Sequence, residues 1–198
     1  MNVDWQILLW INGHYAEWLD WLMWNISRAA TWIPLYVLLV GLVVWRYRKD
    51  WKAILFIFLG FAIAVGLSDY ICSGILKPLV CRLRPTHEPA LIGMVHLVRG
   101  YEGGLYGFCS SHAANTMSVA LLFSLIWRNK IATVGLMTWV ALNCYSRMYL
   151  GVHYPTDILC GLLIGSLCSL LVYVLLQRLV LKPSSRPVAG EAAQQGDS

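Results

Sequence analysis

Long apolar runs separated by short clusters of charge set the rhythm of this chain. Residues 29–45, 53–68, 113–127, 131–146 and 158–177 contain no Asp, Glu, Lys or Arg. A helix needs about 20 residues to cross the hydrocarbon layer, and each run approaches that length once flanking aromatic and small polar residues at headgroup level are counted. The pattern predicts an all-α fold, an integral membrane helical bundle of five transmembrane helices. The first 28 residues follow another rule: Trp5, Trp10, Trp18, Trp21 and Trp24 alternate with Asp4, His14, Glu17 and Asp20. Such a mixture suits an N-terminal amphipathic helix in the headgroup region, with a sixth crossing as the alternative. The expected organisation is an interfacial segment 1–28, a transmembrane domain 29–180 and a polar tail 181–198, rich in Pro, Ser, Gly and Gln and expected to be disordered on the cytoplasmic side.

Composition agrees with a membrane protein. Of 198 residues, 59% are hydrophobic and 13% charged, against about 25% charged in soluble domains. The N-terminus lacks the basic region, short apolar run and cleavage site of a removable signal peptide. The cysteines at 72, 81, 109, 144, 160 and 168 show no metal-ligand spacing, and most are expected to be inert core residues. Arg46, Arg48, Lys49 and Lys52, then Arg128 and Lys130, then Arg178, Lys182 and Arg186 mark one set of span ends. By the positive-inside rule these ends are cytoplasmic.

The other basic residues, Arg28, Lys77, Arg82, Arg84, Arg99 and Arg147, fall near the opposite ends, where topology does not call for them. In "KPLVCRLRP", Lys77 and Arg84 are seven residues apart, so two helical turns would put them on nearly one face. "CSSH" places Ser110, Ser111 and His112 at the start of the third apolar run, and "SRMYLGVHYPTD" places Arg147, His153 and Asp157 between the last two. Charges near a bilayer are functional candidates, and converging cations need an anion. Phosphate fits: Arg84 and Arg147 offer planar forks, Lys77 a point charge, and Ser110 and Ser111 hydroxyls and N–H groups at a helix start. His153 and Asp157 are one helical turn apart, with Pro155 placed to begin the helix. A carboxylate on one ring nitrogen leaves the other free as a nucleophile, and His112 is then free to act as general acid.

These motifs together resemble the signature of the phosphatidic acid phosphatase type 2 superfamily: K-x6-RP (Lys77 to Arg84–Pro85), PSGH, and SR-x5-H-x3-D (Ser146–Arg147, His153, Asp157). The middle motif departs, with Cys109 for Pro and Ser111 for Gly, while Ser110 and His112 are kept. The resemblance implies a membrane-embedded lipid phosphatase that needs no metal or other cofactor. In it His153 forms a phosphohistidine, Asp157 stabilises the imidazolium, and His112 protonates the leaving oxygen before activating water. Lys77, Arg84, Ser110, Ser111 and Arg147 hold the phosphate. The implied partners are the bilayer and a phospho- or pyrophospholipid, with no nucleic acid and no protein partner. Because the positive-inside rule makes the other span ends cytoplasmic, the active site is expected to face the periplasm or outside of a multi-pass cytoplasmic-membrane protein. Short bacterial members act on undecaprenyl diphosphate, lipid A phosphates, phosphatidylglycerophosphate or phosphatidic acid. The basic and aromatic loop from Thr86 to Phe108 favours lipid A.

Arg99, Tyr101 and Tyr106 are candidates for contact with the headgroup. Arg82, His87 and His96 read as loop or headgroup contacts rather than catalysts, and Asp69 either orients a site cation or satisfies a neighbouring helix. A transporter with a His/Asp relay is the reading from another class; it expects polar groups at the bilayer midplane and an internal repeat, neither of which the sequence displays.

Overall fold

The computed structural model describes residues 2–181, so the expected tail, apart from Leu181, lies outside the described residues. The chain forms α1 (Val3–Gly13), α2 (Glu17–Ser27), a 3-10 turn (Ala29–Trp32), α3 (Ile33–Tyr47), α4 (Trp51–Asp69), a π-helical stretch (Tyr70–Leu76), α5 (Lys77–Val80), α6 (Ser111–Trp127), α7 (Lys130–Tyr149) and α8 (Pro155–Leu179). Among the described residues there is no strand, and Leu83 and Tyr106 make an isolated antiparallel bridge. By length and composition Ala29–Tyr47, Trp51–Val80 and Pro155–Leu179 are apolar enough to cross a membrane.

Local chemistry sets the ends. Asp50, Ser110 and Asn129 accept the first free amides of α4, α6 and α7, as short polar side chains do at helix starts. Pro155 opens α8, where its missing N–H is not needed.

Residues 1–28 do not form one continuous helix. The chain breaks after Gly13 into two helices of 11 residues, each about 16 Å long and shorter than the hydrocarbon layer. Leu8, Ile11, Asn12, Met23, Ile26 and Ser27 are buried, while Trp10, Trp18 and Trp21 remain exposed. Asn12 explains the docking. Its amide donates to the carbonyls of Tyr149 (2.8 Å) and His96 (3.0 Å), and its oxygen accepts from His96 N (2.8 Å). Asp20 accepts from the hydroxyl of Tyr149 and pairs with His96 Nε2 at 2.8 Å. The helix pair therefore pins both the end of α7 and the loop that follows Pro85.

The bundle is built around α6, whose Ala113, Ala114, Ser118 and Ala120 are small and buried. Gly161 and Gly165, one turn apart, let α8 lie against its backbone: a Cβ on Gly161 would stand 2.4 Å from Ser110 O, and one on Gly165 2.3 Å from Ala114 O. Gly161→Ala is expected to destabilise the protein by about 1–3 kcal/mol and to reduce activity, because a rigid carbonyl must move. Thermal unfolding in detergent, beside an activity assay, checks this.

The basic clusters at 46–52 and 128–130 come together at one end, where Arg46 lies 5.0 Å from the Trp127 ring and Arg128 donates to Tyr173 Oη at 2.8 Å. The outlying cations gather at the other.

Candidate active site

Lys77 follows the π-helical stretch, a widened turn of a kind often found at functional sites. Its Nζ donates to Ser111 Oγ (2.7 Å) and Ser73 Oγ (3.2 Å), and the two hydroxyls are 2.8 Å apart. The helix ends at Cys81, which is left-handed (φ 51°), so Lys77 and Arg84 do not share a helical face as their spacing suggests. Arg84 comes instead from an extended segment: its N–H bonds Leu105 O (3.0 Å), and Gly107 N bonds Arg82 O (2.9 Å). Its Nε reaches Tyr106 O (3.2 Å) and its Nη1 reaches Val152 O (3.5 Å). Gly103 (φ +73°) passes so close that a Cβ there would stand 2.7 Å from Arg84 Nη1. Part of the glycine content of the loop thus serves to wrap a buried guanidinium.

At the start of α6, Ser110 caps the helix, but its backbone N–H donates to Asp157 O (3.0 Å) and is not free for an anion as the sequence reading expects. Ser111, in the glycine position of the motif, joins the helix without a positive φ, and its hydroxyl holds Lys77. Cys109 is buried with its Sγ 2.8 Å from Cys72 Sγ. Arg147, in the last turn of α7, is 4% exposed; its Nη1 donates to Ser27 Oγ at 2.5 Å, and its Nε is buried without a partner.

His153 and Asp157 are both buried. Asp157 Oδ2 accepts the N–H of Tyr154 at 2.9 Å and lies 3.5 Å from His153 Nδ1, close enough for charge attraction but not for a hydrogen bond, and Nδ1 has no partner. Asp157 Oδ1 is taken by Arg82 Nη1 at 2.9 Å. Burial, then the Arg147, Arg84 and Lys77 cations, hold the His153 imidazole well below the usual histidine range, so the ring is neutral and its lone pair available near pH 7. Burial resists ionisation of Tyr101, yet Arg147 and Arg84 beside it bring its hydroxyl below the usual tyrosine range. Among the described residues Lys77, Arg84 and Arg147 form no ion pair, although Asp69 and Asp157 lie near enough to act through their charge on Lys77 and Arg84 respectively.

Two chambers meet at Ser27, Ala29 and His112. One, of about 290 Å³, is bordered by Trp24, Arg28, Tyr101, Arg147 and Leu150; the other, of about 340 Å³, extends past Trp32, Tyr36, Val65, Asn115, Thr116, Val119 and Asn143. An apolar groove between α3, α4 and α6 continues from Tyr36 and Val119 to Leu39, Val43, Phe58, Phe61 and Phe123.

The structure therefore brings Lys77, Arg84, Ser111, His112, Arg147, His153 and Asp157 to one end of the bundle. Tyr101 borders the chamber. Tyr106 contributes its carbonyl to Arg84, and the Arg99 guanidinium lies 5.5 Å from the Trp24 ring. Asp69 accepts from Asn115 at 3.2 Å, which satisfies a neighbouring helix, and its charge also acts on Lys77. Arg82, read from the sequence as a loop or headgroup contact, instead grips Asp157; the alternation in "RLR" was its signal, since residues two apart in an extended segment share a face. Ser27 and Asp4 gave no local sign.

A family model described as the PAP2 superfamily matches residues 55–181. A lipid A 4'-phosphatase of Porphyromonas gingivalis is 36% identical, with 100% of this chain and 84% of that protein covered. Another, from Bacteroides thetaiotaomicron, is 32% identical, with 97% and 85% covered. The crystal structure of a transmembrane PAP2-type phosphatidylglycerolphosphate phosphatase from Bacillus subtilis superposes with a TM-score of 0.65 at 25% identity, covering 89% of this chain and 85% of that one.

Proposed function

The chain belongs to the PAP2 superfamily, and from that premise we propose that it removes a phosphate from the headgroup of a membrane lipid, lipid A being the favoured substrate. The observation that carries this reading is the position of His112, where a chamber flanked by cations meets a path that continues as an apolar groove between helices. An amphiphile fits both parts at once: headgroup beside Arg147, chains toward the bilayer. The two relatives named lipid A 4'-phosphatase support the choice of headgroup.

The proposed reaction has two steps. His153 Nε2 attacks phosphorus, Lys77, Arg84 and Arg147 stabilise the charge on the equatorial oxygens, and His112 protonates the departing oxygen. As the ring gains charge, its Nδ1–H closes on Asp157 Oδ2. Water, deprotonated by His112, then releases phosphate and restores the free histidine. Ser111 keeps Lys77 in place, and Ser110 joins α6 to the backbone of Asp157. The basic clusters at the far end of the bundle support an outward-facing site in the cytoplasmic membrane, and the exposed tryptophans of the short N-terminal helices support an interfacial role for residues 1–28.

The full-length protein in detergent, with EDTA present, is expected to release phosphate from lipid A with kcat/KM at least about tenfold above that for undecaprenyl diphosphate or phosphatidylglycerophosphate, a margin of roughly 1.4 kcal/mol. Preference for either of the latter would overturn the substrate assignment. Strict dependence on added Mg²⁺ would overturn a mechanism in which side-chain cations alone stabilise the phosphoryl group.

A further inference from the structure

We infer that Arg82, anchored by Asp4 of the N-terminal helix, is a positioning residue of the reaction, fixing which oxygen of Asp157 faces the nucleophilic ring. The inference rests on the reading of His153 as nucleophile. A carboxylate has two equivalent oxygens and turns readily, whereas the mechanism needs one of them held toward Nδ1 while the ring becomes charged. Here each oxygen has its own partner: Oδ2 takes the Tyr154 N–H and faces His153, and Oδ1 takes Arg82 Nη1 at 2.9 Å.

Arg82 is itself fixed on three sides. Its Nη2 pairs with Asp4 Oδ2 at 2.6 Å, its Nη1 also donates to Thr156 Oγ1 at 2.7 Å, and its guanidinium lies 4.0 Å from the centroid of the Tyr154 ring. A planar guanidinium suits this task because it can tie two carboxylates in one rigid fork. Asp4 is fixed in turn, since its Oδ1 accepts the Thr156 N–H at 3.1 Å, an amide in the first turn of α8 that has no partner within the helix, and the Thr156 hydroxyl bonds its Oδ2. Burial opposes ionisation of Asp4, but the hydrogen bonds from Thr156 and Arg82 outweigh it and hold the carboxyl below the usual range. Helix α1, the extended segment after α5 and the start of α8 are thus locked around the carboxylate that serves His153. On this reading the N-terminal segment is part of the catalytic apparatus as well as a membrane-facing element.

The test uses the full chain with Arg82→Gln, Arg82→Lys, Asp4→Asn and the double variant Asp4→Asn/Arg82→Gln, assayed on lipid A and on phosphatidic acid, with thermal unfolding measured for each. Arg82→Gln is expected to lower kcat by about 10–100-fold with KM within about threefold of wild type, the range seen when partners that orient functional groups are lost. The loss should be similar on both lipids, because the His153 step is common to them. Arg82→Lys, which keeps the charge without the fork, should recover part of kcat, and Asp4→Asn should lower kcat by less than Arg82→Gln. The double variant should be no slower than Arg82→Gln alone, since Asp4 acts through Arg82. Multiplying defects, or a rise in KM at constant kcat, would overturn the inference. A wild-type protein inert on both lipids, and on undecaprenyl diphosphate and phosphatidylglycerophosphate as well, would instead refute the phosphatase reading.

Discussion

Replacing His153 with alanine is expected to reduce phosphate release by about 10⁴-fold or more, because removing the proposed covalent nucleophile leaves only binding and charge stabilisation to act. The site offers no obvious substitute. His112, which borders both chambers, lies on α6 rather than beside Asp157, and the Lys77 ammonium is engaged by Ser73 and Ser111. Burial and the surrounding cations keep the His153 ring neutral, so the proposed nucleophile is held in the reactive form before substrate arrives. With ³²P-labelled lipid, wild type should yield an acid-labile phosphoenzyme and the variant none. Because the ring is fully buried, alanine leaves a cavity that costs about 2–4 kcal/mol. His153→Gln, which retains most of the volume, should be better folded and equally unlabelled. Normal turnover in either variant would sink the mechanism.

What the sequence revealed, and what it hid, divides by distance along the chain. His153, Pro155 and Asp157 lie within about one turn, so their relation follows from helix geometry alone; the structure places Pro155 first in α8 and Asp157 beside the ring. The Ser110 cap and the apolar runs are local in the same sense. Arg84 is different. Seven residues from Lys77, it looked like part of the same helix, but Cys81 turns left-handed, and the pairing that presents Arg84 comes from Leu105 and Gly107. Hydrophobic periodicity carries no trace of such a partner. Ser27, which holds Arg147 from 120 residues away, and Asn12, which secures the end of α7, were invisible for the same reason. The divided N-terminal helix was only half legible: its tryptophans announced an interface, while the burial of Asn12 and Asp20's grip on His96 depend on elements far along the chain.

Arg147→Met should move two measurements in opposite directions. Activity is expected to fall by about 10²–10³-fold, the usual loss when a donor aimed at transition-state charge is removed. The folded protein without substrate should nevertheless keep its thermal midpoint or gain a little. Arg147 is 4% exposed, has no carboxylate partner among the described residues, and satisfies its fork through the hydroxyls of Ser27 and Tyr101, leaving Nε unpaired. A buried cation in that condition carries a desolvation penalty of several kcal/mol, whereas methionine of similar length fills the space without it. If the charge exists to meet phosphate, the anion should return the missing stabilisation. Millimolar inorganic phosphate or vanadate is therefore expected to raise the midpoint of wild type through binding to the folded state, and to leave that of Arg147→Met nearly unchanged. A variant that melts several degrees lower while still responding to phosphate would mean that Arg147 serves the packing of α2 on α7 and not the anion. Loss of activity with retained stability and a lost phosphate response is the combination that only a substrate-directed charge produces.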